Sequence, residues 1–351
     1  MTELLFQQTP VRLQGVYASP YTRKALSYLR FKRIPYELII GQPGSPLNRA
    51  GKDLPLPKPV LLPTFYFNDE TGTTQARTDT TPILRQLETA FPPRAAIPSS
   101  PVLRFLNYLI EDYADEWLTR CMFHYRWSYA EDIDKAGTIL PFLQDTMLPA
   151  SQAESLKEMF AERQISRLYV VGSNADTLPV IEASFVRFLQ VMDELLSQRR
   201  FLFGERPSTA DFAVYGQLSS LTHFDPTSTK LTLKHSPRVY AWVEQLEDLC
   251  GTEVKPNDWS IELDPLAPLL AEIGKTHVPQ LLANSSAISN QQSEFETEID
   301  GSIWQQPSFA YQAKCLQWIR EEYTLLDEKE QNILMPLLIE SQCAPLLANG
   351  E

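Results

Sequence analysis

Cysteine is scarce in this chain, and the few cysteines do not cluster. Four of them, Cys121, Cys250, Cys315 and Cys343, are spread over 351 residues and form no CxxC pair. This spacing excludes a clustered metal site, and so few cysteines in a long chain do not make a disulfide framework. We therefore expect free thiols in a reducing cytoplasm and predict no metal.

Long apolar runs are also missing. The sequence has no stretch of about 18 consecutive apolar residues, so we expect no membrane-spanning segment and no membrane partner. Its first residues, Met1 to Leu4, lack the basic start and apolar core of a secretory signal. Hydrophobic residues nevertheless make up 43% of the chain, which is enough for two or more packed domains. A cytoplasmic globular protein is expected.

Positive charge is in the minority and is unevenly distributed. The chain has a net charge of -13, yet residues 1–95 contain 12 Lys and Arg against 7 Asp and Glu. The acidic bulk argues against nucleic acid as a partner. The basic first part suits a small anionic ligand. An uneven solvated surface would explain the same counts.

Residues 1–95 alternate between short strand patterns and helix patterns. Strands are predicted at 11–17, 36–40, 62–67 and 73–76, with helices at 20–33 and 82–91. An irregular loop rich in glycine and proline, 41–59, separates the two halves. The order βαβ followed by ββα is the thioredoxin-like pattern, so we expect an α/β thioredoxin-like N-terminal domain.

Residues 96–250 follow a proline-rich linker and change to a helical period. Helices are predicted at 101–127, 135–147, 151–164, 178–197, 209–222 and 236–249. Ser208 to Asp211 has the form of a capping box, with Asp in place of the usual Glu. These patterns predict an all-α C-terminal domain over 96–250.

Residues 251–351 form an additional segment with mixed patterns. Helices are predicted at 265–288, 309–323 and 328–341, with a hairpin at 295–306 around Asp300-Gly301, a favoured turn pair. Tryptophans and alternating apolar positions are hard to leave in water. We therefore expect an α+β C-terminal extension that packs on its own chain.

Three short signals in the first 95 residues have a suggestive order. Ser19-Pro20 lies at a strand-to-helix turn, Leu62-Pro63-Thr64 precedes a strand, and Asp79-Thr80 opens a helix. A hydroxyl at a turn, a proline with a possible cis bond and an acid–hydroxyl pair at a helix start would together form a pocket for a small peptide thiol.

The motifs and the domain order resemble a cytosolic-type glutathione S-transferase over about residues 10–250. Ser19 to Lys24 resembles the active-site turn of that family, and Leu62-Pro63-Thr64 resembles its cis-proline loop. Asp79-Thr80 resembles its acid–serine pair, and Ser208 to Asp211 the capping box of its helical domain. The resemblance implies glutathione as co-substrate, a small hydrophobic electrophile as the other substrate, and a homodimer. It does not explain 251–351.

Ser19 is the residue that the resemblance implies at the glutathione thiol. A thiol with a pKa of about 8.5 is mostly protonated at neutral pH, whereas the thiolate is the nucleophile. A hydroxyl at a helix N-terminus stabilises the thiolate by a hydrogen bond, and the helix field adds to it. Ser19 could instead be only an N-cap before Pro20. Tyr17 is the alternative hydroxyl.

Serine at this position, where other classes of the family have cysteine, predicts that mixed-disulfide chemistry is absent, because that chemistry needs a protein thiolate.

The other glutathione contacts are also implied by the resemblance. A cis bond at Pro63 would turn the backbone of Leu62 toward the cysteinyl amide of the ligand. Asp79 and Thr80, with the N–H groups of a helix start, suit its γ-glutamyl end. An ordinary strand-start proline and a simple helix cap are the alternatives. Lys52 and Lys58 could meet the glycyl carboxylate.

An electrophile site is expected on the first helices of the all-α domain. The candidates share aromatic or heteroaromatic rings and lie between 113 and 127: Tyr113, Trp117, His124, Tyr125 and Trp127. Aromatic residues at helical spacing also commonly form a core, and this alternative stays open. We expect the C-terminal extension to border the mouth of the ligand pocket and narrow the range of electrophiles.

The predicted function is an enzyme, a glutathione transferase that activates the glutathione thiolate through Ser19. Two alternatives stay open: a non-catalytic binding or scaffold protein with the same fold, and a glutathione-dependent reductase or isomerase with a narrow substrate. Glutathione binding would separate the enzymes from the scaffold, and turnover of a generic aromatic halide would separate the two kinds of enzyme.

Overall fold

The computed structural model describes residues 4–45, 47, 50–255 and 258–348. The other positions lie outside the described residues. They belong to the start of the first predicted domain (1–3), to the predicted loop (46, 48 and 49) and to the predicted extension (256, 257 and 349–351).

The N-terminal domain has the predicted thioredoxin-like order. Its elements are β1 (Val11–Gly15), α1 (Pro20–Lys32), β2 (Tyr36–Ile40), β3 (Thr64–Asn68), β4 (Thr74–Arg77) and α2 (Thr80–Ala90). The strands form one mixed sheet in the order β2-β1-β3-β4, in which β1 runs parallel to β2 and antiparallel to β3. The central strands carry buried apolar residues, whereas the edge strands are partly exposed. The predicted fold of this domain is confirmed.

Helix α1 has clear local signals at both ends. Ser19 is its N-cap and Pro20 its first residue, a position where the missing N–H of proline costs nothing. At the other end, Arg33 adopts a left-handed conformation with φ 55°, and its N–H bonds to the carbonyl oxygens of Leu29 and Arg30. The turn at Ser19 is therefore fixed in position by the helix that follows it.

The all-α domain contains eight α-helices among the described residues. They are α3 (Pro101–Tyr113), α4 (Thr119–Ser128), α5 (Ala130–Gln144), α6 (Ala150–Ile165), α7 (Leu178–Gln198), α8 (Thr209–Leu221), α9 (Pro226–His235) and α10 (Pro237–Leu246). A π-helical turn, Ala114–Leu118, interrupts the single helix predicted at 101–127. The capping box is confirmed, because Ser208 and Asp211 bond each other's backbone N–H groups.

Helices α1 and α8 join the two domains at close range. A Cβ atom on Gly216 would lie 2.6 Å from the carbonyl oxygen of Pro20, so only glycine allows this approach. Arg23 and Arg30 of α1 also form ion pairs with Glu247, just beyond α10, at 2.8 and 2.7 Å. The first turn of α1 is thus held against the all-α domain.

The C-terminal extension is folded as predicted. It contains α11 (Ala267–Ser289), β5 (Glu294–Ile299), β6 (Ser302–Pro307), α12 (Ala310–Thr324) and α13 (Glu328–Glu340). The hairpin turns at Asp300 and Gly301, which both have positive φ, as the favoured hairpin turns require. None of the described helices is long and apolar enough to cross a membrane.

The extension packs on its own chain, as expected. Trp304 of β6 is fully buried and its ring centroid lies 5.4 Å from that of Trp117. Arg187 of α7 bonds Glu272 of α11, and His277 bonds Asp112 of α3 at 2.7 Å. Apolar burial and buried polar contacts therefore both attach the extension to the all-α domain.

Candidate functional site

Ser19 lies at the turn between β1 and α1 and is half-buried. Its Oγ accepts a hydrogen bond from the N–H of Thr22 at 3.3 Å, and its own N–H donates to the carbonyl of Val16 at 3.0 Å. The capping role is therefore confirmed. Because Oγ acts as acceptor in the cap, its hydrogen remains available to donate to a ligand.

A cavity of about 310 Å³ opens beside Ser19, between the two domains. The thioredoxin-like domain contributes Ser19, Tyr21 and Leu62, among others, to its lining. Apolar side chains of the all-α domain form the opposite wall: Met122, Phe123, Trp127, Leu140 and Phe160. Arg126 and Arg163 add polar groups. The cavity thus places a hydroxyl opposite an aromatic and aliphatic surface.

The Leu62–Pro63 bond is cis, which confirms the predicted conformation. Leu62 is half-buried and lines the cavity, whereas Pro63 is buried at the start of β3. Lys52 and Lys58 are exposed and lie outside the cavity lining. Two predicted contact residues, Ser19 and Leu62, are therefore brought together.

Asp79 and Thr80 stand at the N-terminus of α2, outside the lining of this cavity. Asp79 has φ 79° and ψ 102°, in a region that non-glycine residues rarely adopt. Its carboxylate accepts a hydrogen bond from the hydroxyl of Tyr311, in α12, at 2.9 Å. Burial raises the pKa of Asp79 above its ordinary value. The extension therefore meets the predicted site at Asp79, whereas the 310 Å³ cavity is bordered by the other two domains.

A buried ionic network, which the sequence interpretation missed, lies behind the site. The ammonium of Lys24 lies 2.8 Å from Glu111 and 2.5 Å from Asp115, and all three residues are buried. Burial alone would raise the pKa of Glu111, but Arg85 and Lys24 hold it at about 2. Burial also raises the pKa of Asp115 to about 6. Two sequence signals were available for this network. Lys24 lies on the apolar face of α1, and Glu111 and Asp115 are four residues apart in a largely apolar segment.

Most of the predicted electrophile-site aromatics lie in the core. Tyr113, Trp117 and Tyr125 are fully buried. They contact Phe188, Ser184 and Phe185 of α7, respectively. These positions share the side of the α3–α4 segment that faces α7, which is why they do not reach the cavity.

His124 is buried as well, whereas Trp127 reaches the cavity. The Nδ1 of His124 lies 2.8 Å from the hydroxyl of Ser173 and its Nε2 lies 3.3 Å from Glu182. Burial lowers the pKa of His124. Of the five candidates, only Trp127 lines the described cavity. Met122, Phe123 and Phe160 are among the lining residues that the sequence interpretation missed.

Tyr17, the alternative hydroxyl, lies outside the lining of the cavity. Its ring stacks under the guanidinium of Arg23 at 5.2 Å, and its carbonyl accepts a bond from the same side chain at 2.8 Å. The hydroxyl of Tyr21 donates to the carbonyl of Asp115 at 2.7 Å. Ser19 is thus the better placed of the three hydroxyls for a ligand in the cavity.

The cysteines do not form part of the cavity lining. Cys121, Cys315 and Cys343 are buried, Cys250 is exposed, and all four are free. Burial raises the pKa of the Cys121 thiol to about 12, so it stays protonated. Among the described residues, no group of three or more His, Cys, Asp or Glu is arranged to hold a metal ion.

A thioredoxin-like domain followed by an all-α domain, with a cavity at their junction, defines the architecture. The family model described as glutathione S-transferase, N-terminal domain, matches residues 13–95, and the model for the C-terminal domain matches residues 152–245. The two matches together cover half of the chain. The chain belongs to the glutathione S-transferase superfamily. Both matches end before the extension.

Several solved structures are similar at low identity. A Tau class glutathione S-transferase from mango is 18% identical, with 67% of this chain and 87% of that chain covered and a TM-score of 0.39. A glutathione transferase family member from Pseudomonas fluorescens with two glutathione bound is 16% identical, covering 68% and 86%, with a TM-score of 0.39.

A maleylacetoacetate isomerase from Anaeromyxobacter dehalogenans is 16% identical, covering 72% of this chain and 98% of that chain, with a TM-score of 0.30. The comparison with curated proteins found no significant match. The family assignment rests on the two domain models.

Proposed function

We propose that the protein is a glutathione transferase in which Ser19 activates the glutathione thiolate for attack on a hydrophobic electrophile. The observation that carries this proposal is the position of Ser19 at the N-terminus of α1, on the wall of a cavity between the two domains of a glutathione S-transferase fold. A ligand sulfur in that cavity would meet both the hydroxyl and the positive end of the helix dipole.

The proposed chemistry follows from the hydrogen bonds of Ser19. Its Oγ accepts from the Thr22 N–H and so directs its own O–H away from the helix. This O–H donates to the glutathione sulfur and stabilises the thiolate over the thiol. The thiolate then forms the new S–C bond as the leaving group of the electrophile departs. The role of the enzyme in this step is to raise the fraction of bound glutathione that is thiolate, because the thiolate is the nucleophile.

Glutathione is proposed to extend from Ser19 along the cis-proline loop to α2. The backbone of Leu62, which borders the cavity, pairs with the cysteinyl amide. The γ-glutamyl end reaches Asp79 and Thr80, where the N–H groups of the α2 N-terminus suit its carboxylate. The carboxylate of Asp79 receives the ammonium. Lys52 and Lys58 remain candidates for the glycyl carboxylate.

The electrophile is proposed to be a small hydrophobic molecule. Phe123, Trp127 and Phe160 offer aromatic surface on the wall opposite Ser19. This surface replaces the one expected at Tyr113, Trp117, His124 and Tyr125, which are buried in the core. No cysteine lines the described cavity, which favours conjugation over a disulfide-exchanging reductase.

A non-catalytic binding protein is the second candidate. It is favoured by the C-terminal extension, an added segment outside both family matches that contacts the first domain at Asp79 and could cover part of its surface. A homodimer in the cytoplasm, expected from the family resemblance, is part of the proposal for both candidates.

Replacement of Ser19 by alanine tests the proposed chemistry. We expect Ser19→Ala to lower kcat with glutathione and a generic aromatic halide by about 10- to 100-fold, the equivalent of one hydrogen bond to a charged group. Glutathione affinity, measured by calorimetry, should change far less, because the hydroxyl acts mainly on the thiolate.

The matched control is Ser236→Ala. Ser236 also precedes a proline at a helix start, and its Oγ also accepts a backbone N–H, that of Val239, at 3.3 Å. This variant loses a helix cap without touching the cavity, so its kcat should stay unchanged. Equal kcat for Ser19→Ala and the unaltered protein would refute the role of Ser19. Glutathione binding without turnover of any electrophile would support the non-catalytic candidate.

A further inference from the structure

The C-terminal extension reaches the proposed glutathione site at one point. The hydroxyl of Tyr311, in the first turn of α12, donates to Oδ2 of Asp79 at 2.9 Å. The two residues are 232 positions apart in the chain. A segment outside both family matches therefore touches the side chain that the proposed function assigns to the ligand ammonium.

The start of α12 is held firmly, so the position of Tyr311 is defined by the fold. Asn284 of α11 is fully buried, and its side-chain amide forms two hydrogen bonds with the backbone of Phe309. It accepts from the Phe309 N–H at 2.7 Å and donates to the Phe309 carbonyl at 2.9 Å. Gln312 bonds Gln280 of α11 at 2.8 Å and Glu116 at 3.2 Å. Tyr311 is thus presented from a rigid element.

Asp79 has the features of a side chain whose orientation matters. Its φ of 79° is costly for a residue with a Cβ and persists only where the surroundings impose it. The carboxylate accepts a hydrogen bond from the Tyr311 hydroxyl at 2.9 Å and makes no side-chain cap bond to the α2 backbone. A carboxylate has about four lone-pair positions, so this bond orients the group and still leaves acceptor capacity.

We propose that Tyr311 is a positioning residue of the ligand site, whose hydroxyl fixes the carboxylate of Asp79 to receive the α-ammonium of a γ-glutamyl thiol. The inference rests on the proposed function and assigns the extension a part in it. A fixed carboxylate loses less conformational freedom on binding than a mobile one, which increases affinity for the ammonium alone. The expected ligand class is a peptide thiol with a free amino group at its γ-glutamyl end.

The test compares two ligands on the full-length chain by calorimetry. One is glutathione, and the other is its analogue with hydrogen in place of the α-amino group. Tyr311→Phe should weaken glutathione by about fivefold, the size of one net hydrogen bond, and leave the affinity of the deaminated analogue unchanged. Tyr169→Phe, at an exposed tyrosine outside the cavity lining, should change neither affinity.

A double variant separates positioning from general damage. When Asp79 is already replaced by asparagine, Tyr311→Phe should cause no further loss for glutathione, because both residues act through the same contact. Unchanged glutathione affinity in Tyr311→Phe would overturn the inference. Tighter binding would also overturn it, since the hydroxyl would then compete with the ammonium, and so would equal losses for both ligands.

Failure of the proposed function gives a different result from failure of this inference. If the unaltered chain does not bind glutathione, both are overturned together. If it binds glutathione and only the Tyr311→Phe effect is missing, the inference on Tyr311 is overturned and the proposed function stands.

Discussion

Lys24 is a charged residue without exposed surface, and its partners are nearly as well buried. Its ammonium bonds Glu111 and Asp115, and Thr81 at the start of α2 joins the same network. Because burial separates these charges from water, each depends on the others for compensation. The network therefore connects α1, α2 and the α3 region behind the candidate site.

Replacing Lys24 by a neutral residue tests how far the buried acids depend on its charge. Lys24→Met leaves Asp115 buried without its compensating charge and Glu111 with Arg85 alone, and we expect a loss of about 3–5 kcal/mol in the free energy of unfolding. Urea unfolding at neutral pH measures the loss. Lys157→Met is the control, because Lys157 pairs with an exposed acid, Asp134, at 2.6 Å and should contribute little. Similar small losses in both variants would contradict the prediction.

Residues that act through local geometry were predictable from the sequence, and residues that act at long range were not. Ser19 and Pro63 were found because a helix cap and an X–Pro turn depend on adjacent residues. The roles of Lys24 and Tyr311 were missed because their partners are distant in the sequence. Asp115 lies 91 positions from Lys24, and Asp79 lies 232 positions from Tyr311. Trp117 was predicted at the electrophile site but lies in the core. A helical period shows that one face of a helix is apolar, but it does not show whether that face meets the core or a ligand cavity.

Elements with strong end signals match their predicted positions closely. The capping box at Ser208 starts α8, and Asp300-Gly301 turns the β5–β6 hairpin. Helix α9 was missed because it is rich in threonine and has few apolar positions to reveal a period. The π-helical turn at 114–118 leaves no sequence signal, since one added residue in a turn does not disturb an apolar pattern visibly.

The hairpin gives a direct test of how the extension is attached. Trp304 is fully buried against Trp117, whereas its neighbour Ile303 is 64% exposed on the other face of β6. We expect Trp304→Ala to lower the free energy of unfolding by about 3–5 kcal/mol, as large-to-small changes in cores do. Ile303→Ala should have little effect in the same urea titration. Equal effects would show that the β6 register differs from the one described.

At the scale of the whole molecule, Glu247 is one of the carboxylates that tie the thioredoxin-like domain to the all-α domain. Glu247 bonds Arg23 and Arg30 of α1 and the hydroxyl of Tyr215. Burial raises the pKa of Glu247, but Tyr215, Arg30 and Arg23 outweigh it and hold the pKa below the ordinary 4.5. A carboxyl with a depressed folded-state pKa contributes its full stability above the unfolded value and loses it as pH falls through the folded value.

Stability should therefore depend on Glu247 at neutral pH and much less in acid. We expect Glu247→Gln to have a lower urea midpoint than the unaltered protein at pH 7, with the difference narrowing as the pH falls below 4.5. Glu340→Gln, at an exposed acid near the end of α13, should show no such pH-dependent difference. If the urea midpoints of Glu247→Gln and the unaltered protein differed by the same amount from pH 7 to pH 3, the charge of Glu247 would not be the source of its stabilising effect.

The contact between Asp79 and Tyr311 also sets an order of assembly during synthesis. Domains form as units, N-terminal first, while a chain is made at about 5–20 residues per second. Ser19 and Asp79 both belong to the thioredoxin-like domain, which leaves the ribosome before the extension. Tyr311 follows Asp79 by 232 residues, so the ribosome delivers it on the order of tens of seconds later. Until Tyr311 has been made and its segment has docked, Asp79 therefore lacks the hydrogen-bond donor that the extension contributes.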